Sequence, residues 1–207
     1  TSKFNKSGAN DFLSKPFYHE EFYCRIMQNL ESQEMIQTIR NSANLDPLTK
    51  VYNRRFLYEK ADELFSRKAT RSNVIVSMID ADNFKGVNDT YGHKTGDVLL
   101  QEFSALMKDY FPDDLIVRYG GEEFTVVSVR PPKVYLSALS AFMDAVRTTQ
   151  FTNHKFNITC SIGVCAEEHP SLESQLEVAD ARLYNAKRAG RDQIMLRDTA
   201  SKSAQLV

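Results

Sequence analysis

Residues 115–129 read LIVRYGGEEFTVVSV: two β-forming runs, a Gly-Gly pair between them, and two glutamates directly after the pair. Runs of this kind across a short glycine turn predict a β-hairpin, 115–119 against 122–129. The hairpin decides the fold class, because it commits the sheet to an antiparallel pair. Outward from it, β-branched and helical spacings interleave. Strands are expected at 73–80 (NVIVSMID), 156–165 (FNITCSIGVC) and 193–196. Helices are expected at 53–68, 94–110, 134–147 and 172–189, with residues 83–89 as the connection out of the 73–80 strand. This is an α+β order: a ferredoxin-like central antiparallel sheet flanked by helices.

Upstream, Tyr18 to Leu45 contains neither Gly nor Pro. It reads as one long helix, about 42 Å at 1.5 Å per residue, or as two helices meeting end to end. The apolar phase slips between Leu30 and Ile36, which argues against one uninterrupted heptad seam. Asp46-Pro47 marks the boundary between this helical stretch and the alternating region downstream. Residues 11–15 read as a short strand closed by Pro16.

The 207 residues are 42% hydrophobic and 26% charged, with a net charge of −1. That balance fits a soluble globular chain and supplies no overall field for nucleic acid or an acidic membrane. No apolar run is long enough to span a bilayer, and the first residues lack the apolar segment of a signal peptide. Three cysteines, Cys24, Cys160 and Cys165, include no CxxC pair. They are expected as free thiols in a reducing cytoplasm, with Cys160 and Cys165 packing on opposite faces of one strand. His93 is read as a turn residue and Tyr119 as packing beside the hairpin.

The acids raise a chemical question. The strand ending at Asp80-Ala81-Asp82 is expected at a sheet edge, and the hairpin carries Glu122 and Glu123. If the two strands are neighbours, their carboxylates meet and repel unless a cation lies among them. Hard oxygen donors on few residues suit Mg²⁺ that shares its shell with substrate phosphates. Neighbouring strand residues face opposite ways, so Glu122 and Glu123 should differ in role. The plainer alternative is a solvated charged hairpin with acids that cap a helix. After Asp80, the turn at 83–89 offers amides and Lys85 to phosphate oxygens. No GxxxxGK[ST] occurs, so this is no Walker-type P-loop. Lys187 and Arg191 stand four apart near a helix end that Gly190 closes. They could reach phosphates, or merely complement the helix dipole.

Five stretches together carry a family resemblance: DPLTKVYNRR (46–55), DADNFKGVNDTYGHKTGDVLL (80–100), RYGGEEF (118–124), TCSIGV (159–164) and ADARLYNAKRAGRDQI (179–194). In this order they resemble the GGDEF domain, the catalytic domain of diguanylate cyclases, in a GGEEF form. The resemblance implies condensation of two GTP into cyclic di-GMP and two pyrophosphates by a homodimer, with one GTP held by each subunit. It implies Mg²⁺ (or Mn²⁺) on Asp80, the Ala81 carbonyl and Glu122. Glu123 would serve the metal or activate the attacking hydroxyl. It implies guanine reading by Asn88 and Asp97, and phosphate binding by Phe84, Lys85, Lys187 and Arg191. Two positions depart from the pattern. Where relatives carry an RxxD product-inhibition motif, Asp114 is present but Phe111 replaces the arginine, so feedback there is expected to be weak or absent. Lys50 stands where glycine is more usual.

Residues 8–26 (GANDFLSKPFYHEEFYCRI) resemble the C-terminal end of a response-regulator receiver domain, with Lys15 and Pro16 in the expected places. The expected organisation is therefore a receiver remnant at 1–30 whose upstream part is missing from this chain, a helical signalling linker at 31–45, a cyclase domain at 46–196 and a tail at 197–207. Three competing functions stand beside the cyclase. One is a GGDEF module that binds nucleotide without turnover. Another is an RNA-binding sheet, which Glu122 and Glu123 oppose. The last is a cyclase making cyclic GMP within one subunit.

Overall fold

A computed structural model describes residues 18–66 and 74–197. The expected strand at 11–15, Lys15, Pro16 and most of the tail lie outside the described residues. Two compact units divide at Asn44/Leu45. The first unit contributes one continuous helix, α1 (His19–Asn44), and not two meeting end to end. At 1.5 Å per residue it is about 39 Å long. Phe22, Ile26 and Leu30 lie exposed along it.

The second unit holds β1 (Tyr52–Asn53), α2 (Arg54–Ser66), β2 (Ile75–Ala81), α3 (Phe84–Tyr91), α4 (His93–Tyr110), β3 (Leu115–Gly120), β4 (Glu123–Ser128), α5 (Pro132–Thr148), β5 (Cys160–Cys165), α6 (Leu172–Arg188) and β6 (Ile194–Met195). The α+β expectation holds. The six strands run in the order β1-β3-β4-β2-β5-β6. The sheet is mixed: its four inner strands pair antiparallel, while β1 joins β3 and β6 joins β5 in parallel. β2 is therefore a central strand, and the expectation that it brings Asp80 to a sheet edge is corrected. What matters is that Asp80 lies at the C-terminal end of β2, where the strand leaves the sheet. Among the described residues, no helix is long and apolar enough to cross a membrane.

Alternation along the strands builds a core on each face. Ile75, Ile79, Ile116, Phe124, Val126 and Ile162 pack against Leu99 and Phe103 of α4 and Leu139 and Phe142 of α5. Val76, Met78, Val117 and Val127 pack against Leu57 of α2 and Leu176 and Leu183 of α6. Cys160 belongs to the first core and Cys165 to the second, as their odd spacing requires. Both thiols are buried, and burial pushes both up, Cys165 to about 11.

Two local readings change. Residues 83–89 are mostly helix: Asn83 takes a left-handed φ of 59° and α3 starts at Phe84. The strand expected at 156–165 begins only at Cys160, because Phe156 bridges back to Phe151. Lys50, the residue at the usual glycine position, has φ 57°, the region where glycine is at ease.

Beyond the end of β5, α6 meets Glu167 with a buried guanidinium. Arg182, with a side chain 6% exposed, forks onto Glu167 and donates to the Val164 carbonyl at 2.6 Å. The Arg182 hydrogen bonds hold the Glu167 carboxyl down, to about 2, below its ordinary 4.5. A lowered folded-state pKa stabilises above the unfolded value and is lost as pH falls through the folded one. Glu167→Gln is thus expected to cost about 1–2 kcal/mol at pH 7, discounted because Glu167 is half exposed. In thermal unfolding scans, the gap between variant and parent should close as pH falls from 4.5 toward 2. A constant gap would remove the ion pair as its cause.

Candidate active site

The register places Asp80 of β2 directly opposite Glu123 of β4. Alternation turns both toward the face covered by α6. Glu122 lies in the turn before β4, and not on a strand as expected, so strand parity cannot assign its role. Its carbonyl accepts from the Ala81 amide at 3.4 Å, which ties the turn to the end of β2. The turn is shaped by Gly121, at φ 53°, whose carbonyl accepts from Arg118 Nε at 2.9 Å. Arg118 also pairs with Asp46 at 3.1 Å, linking the Asp46-Pro47 loop to the acidic turn.

Asp80 is 5% exposed, and its Oδ2 accepts from Lys187 Nζ at 2.6 Å. Burial pushes its carboxyl up to about 6. The Lys187 bond and charge pull it back, while Glu122 and Glu123 push it further up. Spacing within the sequence could not reveal the Lys187–Asp80 pair, since the sheet and α6 bring together residues 107 apart.

Among the described residues, no three His, Cys, Asp or Glu side chains stand close enough to form a ready-made metal cage. The donors at this end of the sheet are the carboxylates of Asp80, Glu122 and Glu123 and the main chain at Ala81. All are hard oxygens, too few to fill a shell. Such a set fits Mg²⁺ or Mn²⁺ completed by water and substrate phosphates. The crowding of Glu122 and Glu123 on a desolvated Asp80 is the electrostatic deficit such a cation would cancel.

Directly after β2, Phe84 and Lys85 open α3. The first amides of a helix have no acceptor within it and so favour anions. Lys85 is exposed. Asn88 follows on α3, and its buried Oδ1 has no hydrogen-bond partner among the described residues. Gly96, one residue before exposed Asp97 on α4, leaves the space this amide occupies. A Cβ at Gly96 would overlap Asn88 Oδ1 and press on the Phe84 ring at 3.1 Å. The α3–α4 pair thus holds an orphaned amide beside an exposed carboxylate, donors and acceptors that can match a guanine edge. If this pocket receives the guanine of GTP, Gly96→Ala weakens GTP binding roughly tenfold to a hundredfold. It should leave the melting temperature unchanged or higher, since alanine favours helix by about 1 kcal/mol. Calorimetric titration beside thermal unfolding checks both. Equal loss of affinity and stability would remove the pocket reading.

Lys187 is in the last turn of α6, and Arg191 lies past its end, exposed, with φ 66°. Lys187 meets the acids directly, whereas Arg191 is carried by the segment after Gly190. Asp82 does not join the acids. Its carboxyl, 5% exposed, accepts from Thr159 Oγ1 at 2.6 Å, Ser161 Oγ at 2.7 Å and the Asp192 amide at 3.1 Å. At the product-inhibition position, Phe111 is fully buried against the rings of Tyr135 and Phe142. The Asp114 side chain is buried and paired with Arg130. A cleft of about 400 Å³ beside them is lined by Lys50, Lys108, Phe111 and Asp114, among others. Tyr119 stacks under Arg54 and shares a hydroxyl contact with Tyr58 at 3.1 Å. His93 is exposed at the start of α4.

Residues 43–193 match the model of the family described as "Diguanylate cyclase, GGDEF domain". The chain is 32% identical to the response regulator PleD of Caulobacter vibrioides, over 91% of this chain and 45% of PleD. It is 36% identical to the diguanylate cyclase DgcP of Pseudomonas aeruginosa, over 75% of this chain and 24% of DgcP. It therefore spans less than half the length of either relative. The coiled coil and GGDEF domain of DgcB from Caulobacter crescentus, solved in complex with c-di-GMP, superposes with a TM-score of 0.75. That match has 27% identity and covers 85% of this chain and 97% of the other. A family match over most of the chain, on a sheet that sets Asp80 against Glu123, leaves one conclusion: the chain belongs to the GGDEF diguanylate cyclase family.

Proposed function

We propose that this chain is a catalytically competent diguanylate cyclase, condensing two GTP into cyclic di-GMP with release of two pyrophosphates. The observation that carries the reading is Asp80 facing Glu123 across the sheet, with Lys187 against Asp80. Asp80, Glu122, Glu123 and the Ala81 carbonyl would hold Mg²⁺ or Mn²⁺. When bound, such a cation neutralises charge on the phosphates and on the attacking oxygen. Asn88 and Asp97 bind the guanine edge, and the opening amides of α3 with Lys85 bind phosphate oxygens. Lys187 exchanges partners: its ammonium neutralises Asp80 in the empty domain and turns to the triphosphate when substrate arrives. Arg191 adds a second cation there. Glu123 takes the proton of the 3′-hydroxyl.

Each of two successive steps forms a bond from a 3′-oxygen to the α-phosphorus of the other nucleotide and breaks the bond to pyrophosphate. Because each subunit holds one GTP, the reaction requires a homodimer with the sites facing. The likeness to PleD extends over 91% of this chain, beyond the family match at 43–193. It supports reading the segment before the cyclase domain as a receiver remnant and linker. A GTP substrate and a response-regulator role would suit a protein of the cytoplasm.

The test is incubation of the purified chain with GTP and MgCl₂, with product identified by mass. Cyclic di-GMP is expected, at a rate per subunit that climbs with protein concentration. GTP bound and returned intact would leave a binding module, and cyclic GMP would mean chemistry within one subunit. With Phe111 in the core and Asp114 spent on Arg130, micromolar cyclic di-GMP is expected not to slow turnover. Inhibition that disappears in Asp114→Asn would refute this.

A further inference from the structure

Three consecutive residues after α6 have positive φ: Gly190 at 116°, Arg191 at 66° and Asp192 at 49°. Glycine tolerates this; Arg and Asp do so only where the surroundings hold them. The Arg191 amide donates to the Ala186 carbonyl of α6 at 3.0 Å, and further holding bonds reach Asp192 from two sides. On one side, Arg147 of α5 donates from Nε to Asp192 Oδ1 at 2.8 Å and from its terminal nitrogen to the Asp192 carbonyl at 3.1 Å. On the other, the Asp192 amide donates to Asp82 Oδ2 at 3.1 Å. Asp82 is itself fixed. Its Oδ1 accepts from Ser161 and its Oδ2 from Thr159, and its own amide donates to the Thr159 carbonyl at 2.9 Å. A buried carboxylate with donors on both oxygens has little capacity left for a metal.

We infer that Asp82 is a positioning residue: it fastens the strained Gly190–Asp192 segment to the end of β2, and so sets where Arg191 presents its guanidinium. The two aspartates of Asp80-Ala81-Asp82 then divide the work. Asp80 faces the cation site, and Asp82, two residues on, holds the segment bearing the phosphate cation in register with it. Movement of this segment displaces Arg191 while leaving Asn88 and Asp97 where they are. The loss on breaking the tie therefore falls on the β and γ phosphates and not on the base. The inference rests on the proposed reading of Arg191 as a triphosphate ligand.

The experiment measures affinity for a non-hydrolysable GTP analogue and for GMP, both with Mg²⁺, in Asp82→Ala, Asp82→Asn, Arg191→Ala and the Asp82→Ala/Arg191→Ala double variant. Asp82→Ala is expected to weaken the triphosphate roughly tenfold and GMP less than about twofold. Asp82→Asn, which keeps an oxygen for the Asp192 amide, should restore most of the loss. In the double variant, Asp82→Ala should add nothing to Arg191→Ala. Should Asp82→Ala fail to fold, Thr159→Val removes one of the donors fixing Asp82 and should give the same triphosphate-selective pattern. Equal weakening of GMP and the analogue, or additive losses, overturns the inference. An Arg191→Ala protein that binds the analogue normally sinks the functional reading of Arg191 itself, and the inference with it.

Discussion

Asp80→Asn is expected to lower cyclic di-GMP formation about 10²–10⁴-fold, while the melting temperature of the unliganded protein stays the same or rises. The first part rests on chemistry. If Asp80 helps hold the proposed cation, removing its buried carboxylate forfeits several kcal/mol of transition-state charge stabilisation. The second rests on burial. Asp80 is held as a charge in a site that pushes its carboxyl up to about 6, with Glu122 and Glu123 adding to the cost and Lys187 offsetting part of it. Asparagine keeps the shape and relieves the desolvation. Lys187, at 30% side-chain exposure, can return its charge to water. Activity by product mass and stability by thermal unfolding should therefore move apart. A variant that loses both would make Asp80 a structural acid, and one that keeps its turnover would remove the cation site from Asp80.

This opposition marks where the sequence was readable and where it was not. The hairpin at 115–129 and the strand at 75–81 were legible because β-branched alternation and a Gly-Gly turn are local signals. So was the division of Cys160 and Cys165 between faces, which parity alone dictates. Residues 83–89 misled because Asn83, Gly86, Asn88 and Asp89 favour turns, whereas burial of Val87 and packing of Phe84 draw the segment into helix. Phe156 misled in the same way: its apolar run continues the β5 pattern, yet it pairs with Phe151 instead. The parallel edges β1 and β6, two residues each, are too short to leave a period. In the site, residue types announced the acids and cations, but not their pairing. Lys187–Asp80, Arg118–Asp46 and Asp82 with Asp192 all join distant parts of the chain, which only the folded sheet brings together.

Gly163→Ala tests the platform beneath that site, and should be the most destructive single methyl in the domain. A Cβ at Gly163 of β5 would lie well inside van der Waals contact of the Ala179 carbonyl oxygen and the Leu183 amide nitrogen, both backbone atoms of α6. Backbone cannot swing aside as a side chain can, so α6 must lift from the sheet. The expected loss exceeds about 3 kcal/mol, a drop of roughly 6–12 °C in melting temperature or insoluble protein. Gly96→Ala is the internal contrast: there the methyl meets a side-chain tip, and function falls before stability does. The consequence reaches the chemistry because Gly163 pairs with Met78, and Asp80 with Ser161, on the same two strands. Lys187 sits one turn beyond Leu183 on the helix those strands seat. Lifting α6 therefore separates Lys187 from Asp80. On the proposed roles of Asn88 and Asp97 at the base, a soluble Gly163→Ala protein should retain GMP binding and lose discrimination for the triphosphate. If it melts within a few degrees of the parent and cyclises GTP at the parental rate, then close seating of α6 on β5 is not what aligns the cations with the acids.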